Sequence, residues 1–449
     1  MMSAPRKPRS TLNFVDQYCA MYQDLFADVR SFNHFKWLHG GLISEIPRKS
    51  LPAIAKAVGL PNGQALHHFL SDSPWNVEAF RQRRLAIVKT ALRGRPFTLC
   101  IDETGDKKKG HTTDYVARQY IGKLGKIDQG LVSVNAYGVL EGITFPLLFN
   151  VFKPRPQLKP TDEYATKPQL AVHMIRTLIH LGFPCRLVVA DSLYGESTEF
   201  LEALLALDLG FVVAIRANHG VLLGPGQRVR STSWKAFERG FADGTSERRY
   251  ICEIIFGQRR DIRYYQLTTD PKVLPEDSTW FVMTNLSQAS VQDVGNGYGM
   301  RTWIEYGFRQ SKQELGWTDF RVTSYPAIER WWEMVCSAYL MVSLQAEVFI
   351  GPLPMLSPGD PEAAERTTGG QPEPCRAQDV TPEAPALALR QHKWWNAGKG
   401  WKHGLNNLRL LIQPFIAYCL LSPWLEIINI PSLQEGWGQL LTRLHECYT

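Results

Sequence analysis

The chain has 449 residues, 44% hydrophobic and 21% charged, enough for two or three domains that bury their own cores without disulfides or a partner. The eight cysteines (Cys19, Cys100, Cys185, Cys252, Cys336, Cys375, Cys419, Cys447) are scattered, with no Cys-x-x-Cys pair and no Cys/His cluster at zinc spacing. That excludes a disulfide scaffold and a zinc module, and the formal charge of +7 suits a polyanionic partner.

Residues 1–93 read as helical, with apolar residues at three- and four-residue spacing from Phe14 to Arg93. Within them Ser50 to Gly59 has the form of a capped helix ended by glycine, and Gln64 to Leu70 of a second helix after the Leu60-Pro-Asn-Gly63 turn. Helix, glycine turn, helix is the outline of a DNA reader, although any small helical domain contains such pairs. Between Arg81 and Lys126 twelve Lys/Arg stand against four Asp/Glu, an excess that by itself is often only a solvated face.

Residues 94–215 alternate strands with helices. Pro96 to Ile101 is an apolar strand that ends on Asp102. Leu131 to Phe152 forms two strands about a turn at Glu141-Gly142, and Lys167 to Leu181 a helix. Arg186 to Ala190 is a strand that ends on Asp191, and Gly210 to Ile215 a third. The pattern predicts a mixed α/β sheet flanked by helices. Residues 216–290 change to strand-like runs between polar turns, a β-rich insertion. In 291–350 one helix is predicted from Val294 to Leu315 and another from Ala327 to Phe349. Residues 351–389, rich in Pro, Gly, Ala and Glu, read as a flexible linker, and 390–449 as a C-terminal helical segment packed on the body. The N-terminus has no signal-peptide core. The two most apolar stretches, Met334 to Ala346 and Leu410 to Leu425, fall short of the roughly 20 residues a bilayer span needs, and the second contains Pro414 and Pro423. A cytoplasmic protein without a membrane partner is expected.

Two aspartates at the carboxyl ends of adjacent strands face the crevice where open α/β sheets bind ligands, and with a third carboxylate they offer hard oxygens to a pair of Mg²⁺ ions. A lone Asp after a strand is more often a helix cap. The third carboxylate comes from the next helix: Tyr298, Arg301, Glu305 and Lys312, at spacings of three, four and seven, share one stripe, with Ile304, Phe308 and Leu315 as the neighbouring apolar stripe. That stripe sets a metal-binding carboxylate between a phenol and cations suited to phosphates. In isolation it also fits a solvated face with an Arg301–Glu305 pair.

Tyr298-x₂-Arg301-x₃-Glu305-x₆-Lys312 resembles, without a departure in spacing, the signature of a large group of bacterial insertion-sequence transposases with an RNase H-like catalytic domain and an Asp-Asp-Glu triad. Cys100-Ile-Asp102-Glu-Thr-Gly105, Val189-Ala-Asp191-Ser-Leu-Tyr-Gly195, Arg118-Gln-Tyr-Ile-Gly122 and Asn406-Asn-Leu-Arg-Leu-Leu411 resemble further segments of the group.

The resemblance implies that Asp102, Asp191 and Glu305 are catalytic and hold two Mg²⁺ ions, with Mn²⁺ able to substitute. It implies that Tyr298, Arg301 and Lys312 bind DNA; Arg118 and Lys123 in the core, and Gln64, His67 and His68 on the second helix of the helix-turn-helix outline, are further expected contacts. It also implies double-stranded DNA partners (terminal repeats and target) and a homodimer assembled on DNA ends. The 114-residue gap from Asp191 to Glu305 calls for the inserted β segment. In relatives a tryptophan there stacks on an unpaired base, a role open to Trp234 or Trp280, with core packing the plainer reading of either. A haloacid-dehalogenase-type phosphatase would need Asp-x-Asp, where this chain has Asp102-Glu-Thr104. A catalytically silent, transposase-derived DNA-binding protein is the alternative.

Overall fold

The apolar run Phe97–Ile101 starts the central strand β1 (Phe97–Lys107) of a computed structural model that describes residues 7–110, 112–241, 245–349 and 390–446. On one edge β1 pairs in parallel with β5 (Cys185–Ala190), which pairs in parallel with β6 (Gly210–Ile215). On the other it is antiparallel to β3 (Lys126–Leu140), which is joined to β4 (Ile143–Val151). The β3–β4 turn needs left-handed backbone, at Glu141 (φ 47°) and Gly142 (φ 79°), as the Glu-Gly pair suggested. The order β4-β3-β1-β5-β6 is the mixed sheet expected of the RNase H-like class. The short β2 (Ala117–Ile121) pairs with the start of β3.

One expectation is corrected here: β1 does not end at Asp102. Pairing with β5 stops at Ile101↔Ala190, but β3 continues as a partner from Asp102↔Asn135 to Lys107↔Gly130, so the ladder on that edge carries the polar run Asp102–Lys107 as strand. Asp102 is therefore a mid-strand residue at the point where one neighbour ends.

Residues 216–290 contain β7 (Val229–Ser231), β8 (Lys235–Gly240), β9 (Ser246–Phe256), β10 (Arg263–Thr268) and β11 (Trp280–Thr284). They are continuous with the central sheet, because β11 pairs antiparallel with β6 from Phe281↔Ile215 to Thr284↔Val212.

The N-terminal helices are α1 (Asn13–Ala20), α2 (Val29–Ile43), α3 (Leu51–Ala57), α4 (Gln64–Ser71) and α5 (Val77–Leu92). Between β4 and β6 come α6 (Lys167–His180), opened by a Thr166–Gln169 capping box, α7 (Ser192–Gly195) and α8 (Thr198–Ala206). The single helix expected from Val294 to Leu315 is divided into α9 (Val291–Gly299), α10 (Arg301–Arg309) and a π turn (Gln310–Glu314). Gly295, Gly297 and Gly299 weaken the helical ladder just before the break at Met300, whose N–H is shared between Asn296 and Gly297 carbonyls.

Helix α11 (Tyr325–Ser343) is buried along nearly its whole length and runs through the middle of the molecule, against α2, α4, α5 and β4. The buried residues of the N-terminal helices, the sheet and α11 form one continuous apolar cluster. The predicted linker, 351–389, lies outside the described residues.

The C-terminal part is α12 (Trp401–Ile427) and α13 (Pro431–Glu446). Here the length argument against a membrane span is corrected: Pro414 and Pro423 lie inside α12, whose 27 residues are long and apolar enough to cross a bilayer by length and composition. Its first half is core, with Trp401 stacked on Tyr339 at 4.4 Å and Leu405, Leu408, Leu411 and Ile412 buried, so those two properties alone do not make it a span.

Candidate active site

Asp102 and Asp191 each stand one residue past the last register pair of two adjacent parallel strands, Ile101↔Ala190. Neighbouring strands run about 4.8 Å apart and side chains alternate, so both carboxylates reach the same face of the sheet at the same level. Asp191 also caps α7, its Oδ1 accepting from Leu193 N–H at 2.9 Å, which leaves Oδ2 for a ligand. The capping role and a binding role therefore coexist in one side chain. Gly195 fixes the following turn against β6, where a Cβ would come 1.9 Å from the Ala214 carbonyl oxygen. Gly195→Ala is expected to destabilise the fold by about 1–3 kcal/mol, read by urea denaturation, because backbone must shift to admit one methyl.

Asp102 is buried; its Oδ1 accepts from the Glu103 N–H at 2.8 Å and its Oδ2 from Arg301 Nη2 at 3.4 Å. Burial pushes its pKa up to about 7, with the nearby Asp191 and Glu103 charges adding and Arg301 opposing. Glu305 is 52% exposed and accepts from Arg301 Nη1 at 2.8 Å. Burial also disfavours the Arg301 charge, but Asp102, Glu305 and Asp191 outweigh it and raise that pKa further. The Arg301 guanidinium thus bridges two of the three candidate ligands.

The rest of the stripe is held differently. Lys312 Nζ lies 2.7 Å from Asp106 Oδ1 and donates to the Gly105 carbonyl at 3.1 Å, both side chains of the pair being under 10% exposed. Tyr298 is buried and meets Trp280 edge-on at 5.6 Å, and Trp280 carries the guanidinium of Arg249 at 4.1 Å and of Arg239 at 5.2 Å. An open cavity of about 530 Å³ beside Asp191 is lined by Trp280, Tyr298 and Arg301. A larger one, about 1360 Å³, lies between α3, α4 and α12, and none of the three carboxylates lines it.

Of the other expected contacts, Gln64, His67 and His68 are exposed along α4, and Arg118 is exposed on β2. The side chain of Lys123 lies outside the described residues. Trp234 is half-buried before β8.

Asp106, Arg239 and Arg249 were missed by sequence reasoning. Asp106 had a signal: with β1 extended, Asp102 and Asp106 fall on one face by the two-residue period. Four strand residues span roughly 13 Å and the eleven steps from Arg301 to Lys312 roughly 16 Å, so each cation of the helix meets one carboxylate of the strand. Nothing local pairs the arginines with Trp280.

The chemistry of the donors suits a divalent cation at Asp102 and Asp191: hard oxygens, mutually repelling charges and a free Oδ2 on Asp191. Glu305 completes the set only if Arg301 moves. As they stand, among the described residues no three His, Cys, Asp or Glu side chains are close enough to hold a metal ion.

Residues 22–240 match the family described as DDE superfamily endonuclease, and residues 160–341 the family described as transposase DDE domain. The chain is also similar to a probable transposase for insertion sequence element IS701 from Microchaete diplosiphon, 54% identical over 329 residues that make up 73% of this chain and 87% of that protein.

Proposed function

This chain belongs to the insertion-sequence transposases that carry a DDE domain, DNA-cleaving enzymes of a superfamily that typically uses divalent metal ions, and on that premise we propose that it excises and inserts its element by Mg²⁺-dependent phosphoryl transfer at Asp102, Asp191 and Glu305. The observation that carries the proposal is the shared register of Asp102 and Asp191 on adjacent parallel strands with the Glu305 helix laid against the first of them, β1. In the first step water attacks the phosphorus at the element end and the 3′-oxygen leaves. In the second that 3′-hydroxyl attacks a target phosphodiester, displacing its 3′-oxygen in turn. Bound divalent ions, Mg²⁺ or Mn²⁺, supply Lewis acidity for the attacking and leaving oxygens. Asp102 and Asp191 set the position of the reacting phosphate by their fixed backbone. Arg301 neutralises the phosphates beside it, with Tyr298 against the same strand, while Lys312, buried on Asp106, ties the helix to β1. Incubating labelled element-end duplex with the full chain and Mg²⁺ tests this directly: nicking at the element boundary is expected. Binding without nicking at any Mg²⁺ or Mn²⁺ concentration would leave the silent DNA-binding reading.

End recognition is assigned to residues 1–93, through α3 and α4. Gln64 opens α4 and His67 and His68 follow one turn on, all exposed, which is the part of a recognition helix that meets base edges. Because these helices share their core with α11, the test belongs in the full chain. Replacing Gln64, His67 and His68 together by alanine is expected to cut the preference for element ends over random duplex by about tenfold or more, read by competition binding. Unchanged preference would move recognition to the β insertion or the C-terminal segment. The reaction is placed in the cytoplasm, on double-stranded DNA, by a homodimer that forms on two element ends.

A further inference from the structure

Arg301 stands in the middle of the carboxylate set. Its Nη1 is on Glu305 at 2.8 Å and its Nη2 on Asp102 at 3.4 Å, while its Nε is buried with no hydrogen-bond partner. A guanidinium with five donors that makes two such bonds and leaves its buried Nε unmet is held there by charge more than by a full set of hydrogen bonds. It is also the first residue of α10, directly after the break at Met300, with its side chain about a quarter exposed.

Resting on the reading that Asp102 and Glu305 ligate the metal, we infer that Arg301 is the resident counter-ion of this pair and competes with the divalent cation for it. The positive charge that faces Asp102 and Glu305 in the DNA-free protein is the guanidinium, and a metal ion that takes both carboxylates displaces it. A DNA phosphate is the other anion within its reach, so phosphate draws Arg301 off the carboxylates and raises their affinity for metal. By linkage, metal raises the affinity for DNA by the same factor. The device keeps the metal site closed until DNA arrives. Lys312 is no substitute, because it is paired with Asp106 instead.

The test is Mn²⁺ binding to the DNA-free full chain, followed through the paramagnetic resonance signal of free Mn²⁺, with Mn²⁺-dependent melting as a second readout. Arg301→Gln is expected to bind Mn²⁺ about tenfold or more tightly than the parent chain, Arg301→Lys to fall between them, and Asp102→Asn to bind more weakly. Adding element-end duplex should tighten Mn²⁺ binding to the parent and leave Arg301→Gln almost unchanged. If Arg301→Gln does not give a native far-UV spectrum, Arg301→Lys carries the comparison, since it keeps the charge but loses the fork. Arginine variants that bind Mn²⁺ no more tightly than the parent, while Asp102→Asn still weakens it, overturn the inference and leave the proposed function standing. An Asp102→Asn chain that binds Mn²⁺ like the parent overturns the metal reading and the inference with it.

Discussion

Asp102→Asn, Asp191→Asn and Glu305→Gln are each expected to abolish nicking of labelled element-end DNA, a loss on the order of a thousandfold or more, while binding to that DNA should change little. Each replacement keeps the shape of the side chain and removes the charge that a hard cation requires. Full activity in any one of the three removes that residue from the site. Glu314→Gln is the control, and the structure supplies a reason: Glu314 pairs with Lys402 at 2.5 Å and Arg409 at 2.8 Å of α12, so its carboxylate serves the C-terminal helix rather than the cleft. This variant should keep cutting and lose only stability.

The Asp102 variant has a second, pH-dependent signature. In the fold its pKa is pushed up to about 7, against an ordinary value of about 3.9 in the unfolded chain. The folded protein therefore holds an extra proton between these values, and stability falls as pH rises through that window. The cost of the buried charge is fully present above pH 7 and gone near pH 4. Asp102→Asn is accordingly expected to melt higher than the parent at pH 8 and at about the same temperature near pH 4.

Glu333→Ala should destabilise the protein by about 3–5 kcal/mol, the largest expected effect on stability, measured by urea unfolding. Glu333 on α11 is fully buried and accepts from Arg81 Nε at 2.7 Å and Arg84 Nε at 2.9 Å, both on α5. Arg84, also fully buried, spends its other donors on the carbonyls of Pro146 at 2.8 Å and Leu147 at 3.0 Å in β4. One cluster thus ties an N-terminal helix, the central helix and the catalytic sheet together. Removing Glu333 leaves Arg84 uncompensated in the core, while Arg81 keeps Glu78 at 2.5 Å and Glu329 at 2.6 Å. Replacing Glu333 and Arg84 together by apolar residues of similar volume should recover much of the loss, because the penalty lies in the unpaired charge and Arg81 keeps Glu78 and Glu329. A single variant as stable as the parent would mean that the helical part docks by apolar contacts alone.

The sequence was legible wherever structure depends on neighbours along the chain. Alternation and apolar runs marked β3, β4, β5 and β6. Periodicity marked α3, α4, α6 and α11, and the spacing of Tyr298, Arg301, Glu305 and Lys312 brought the candidate site into view before any coordinates. It failed where a remote partner decides. The polar run after Asp102 is strand only because β3 supplies its hydrogen bonds, and the prolines of α12 did not stop a helix whose first half is pinned by Trp401 against Tyr339.

By itself, then, the sequence determined the fold class, because periodicity is a property of consecutive residues, and its motifs carried the resemblance that pointed to the family and to three candidate carboxylates. Only the tertiary structure decided which charges meet. Asp102 and Asp191 become neighbours through the register of two strands far apart in the chain, Arg301 lands between Asp102 and Glu305, Lys312 on Asp106, and two arginines of α5 on Glu333. A charge shows its sign in the sequence, but its partner is chosen by packing, and burial then decides how much that choice matters.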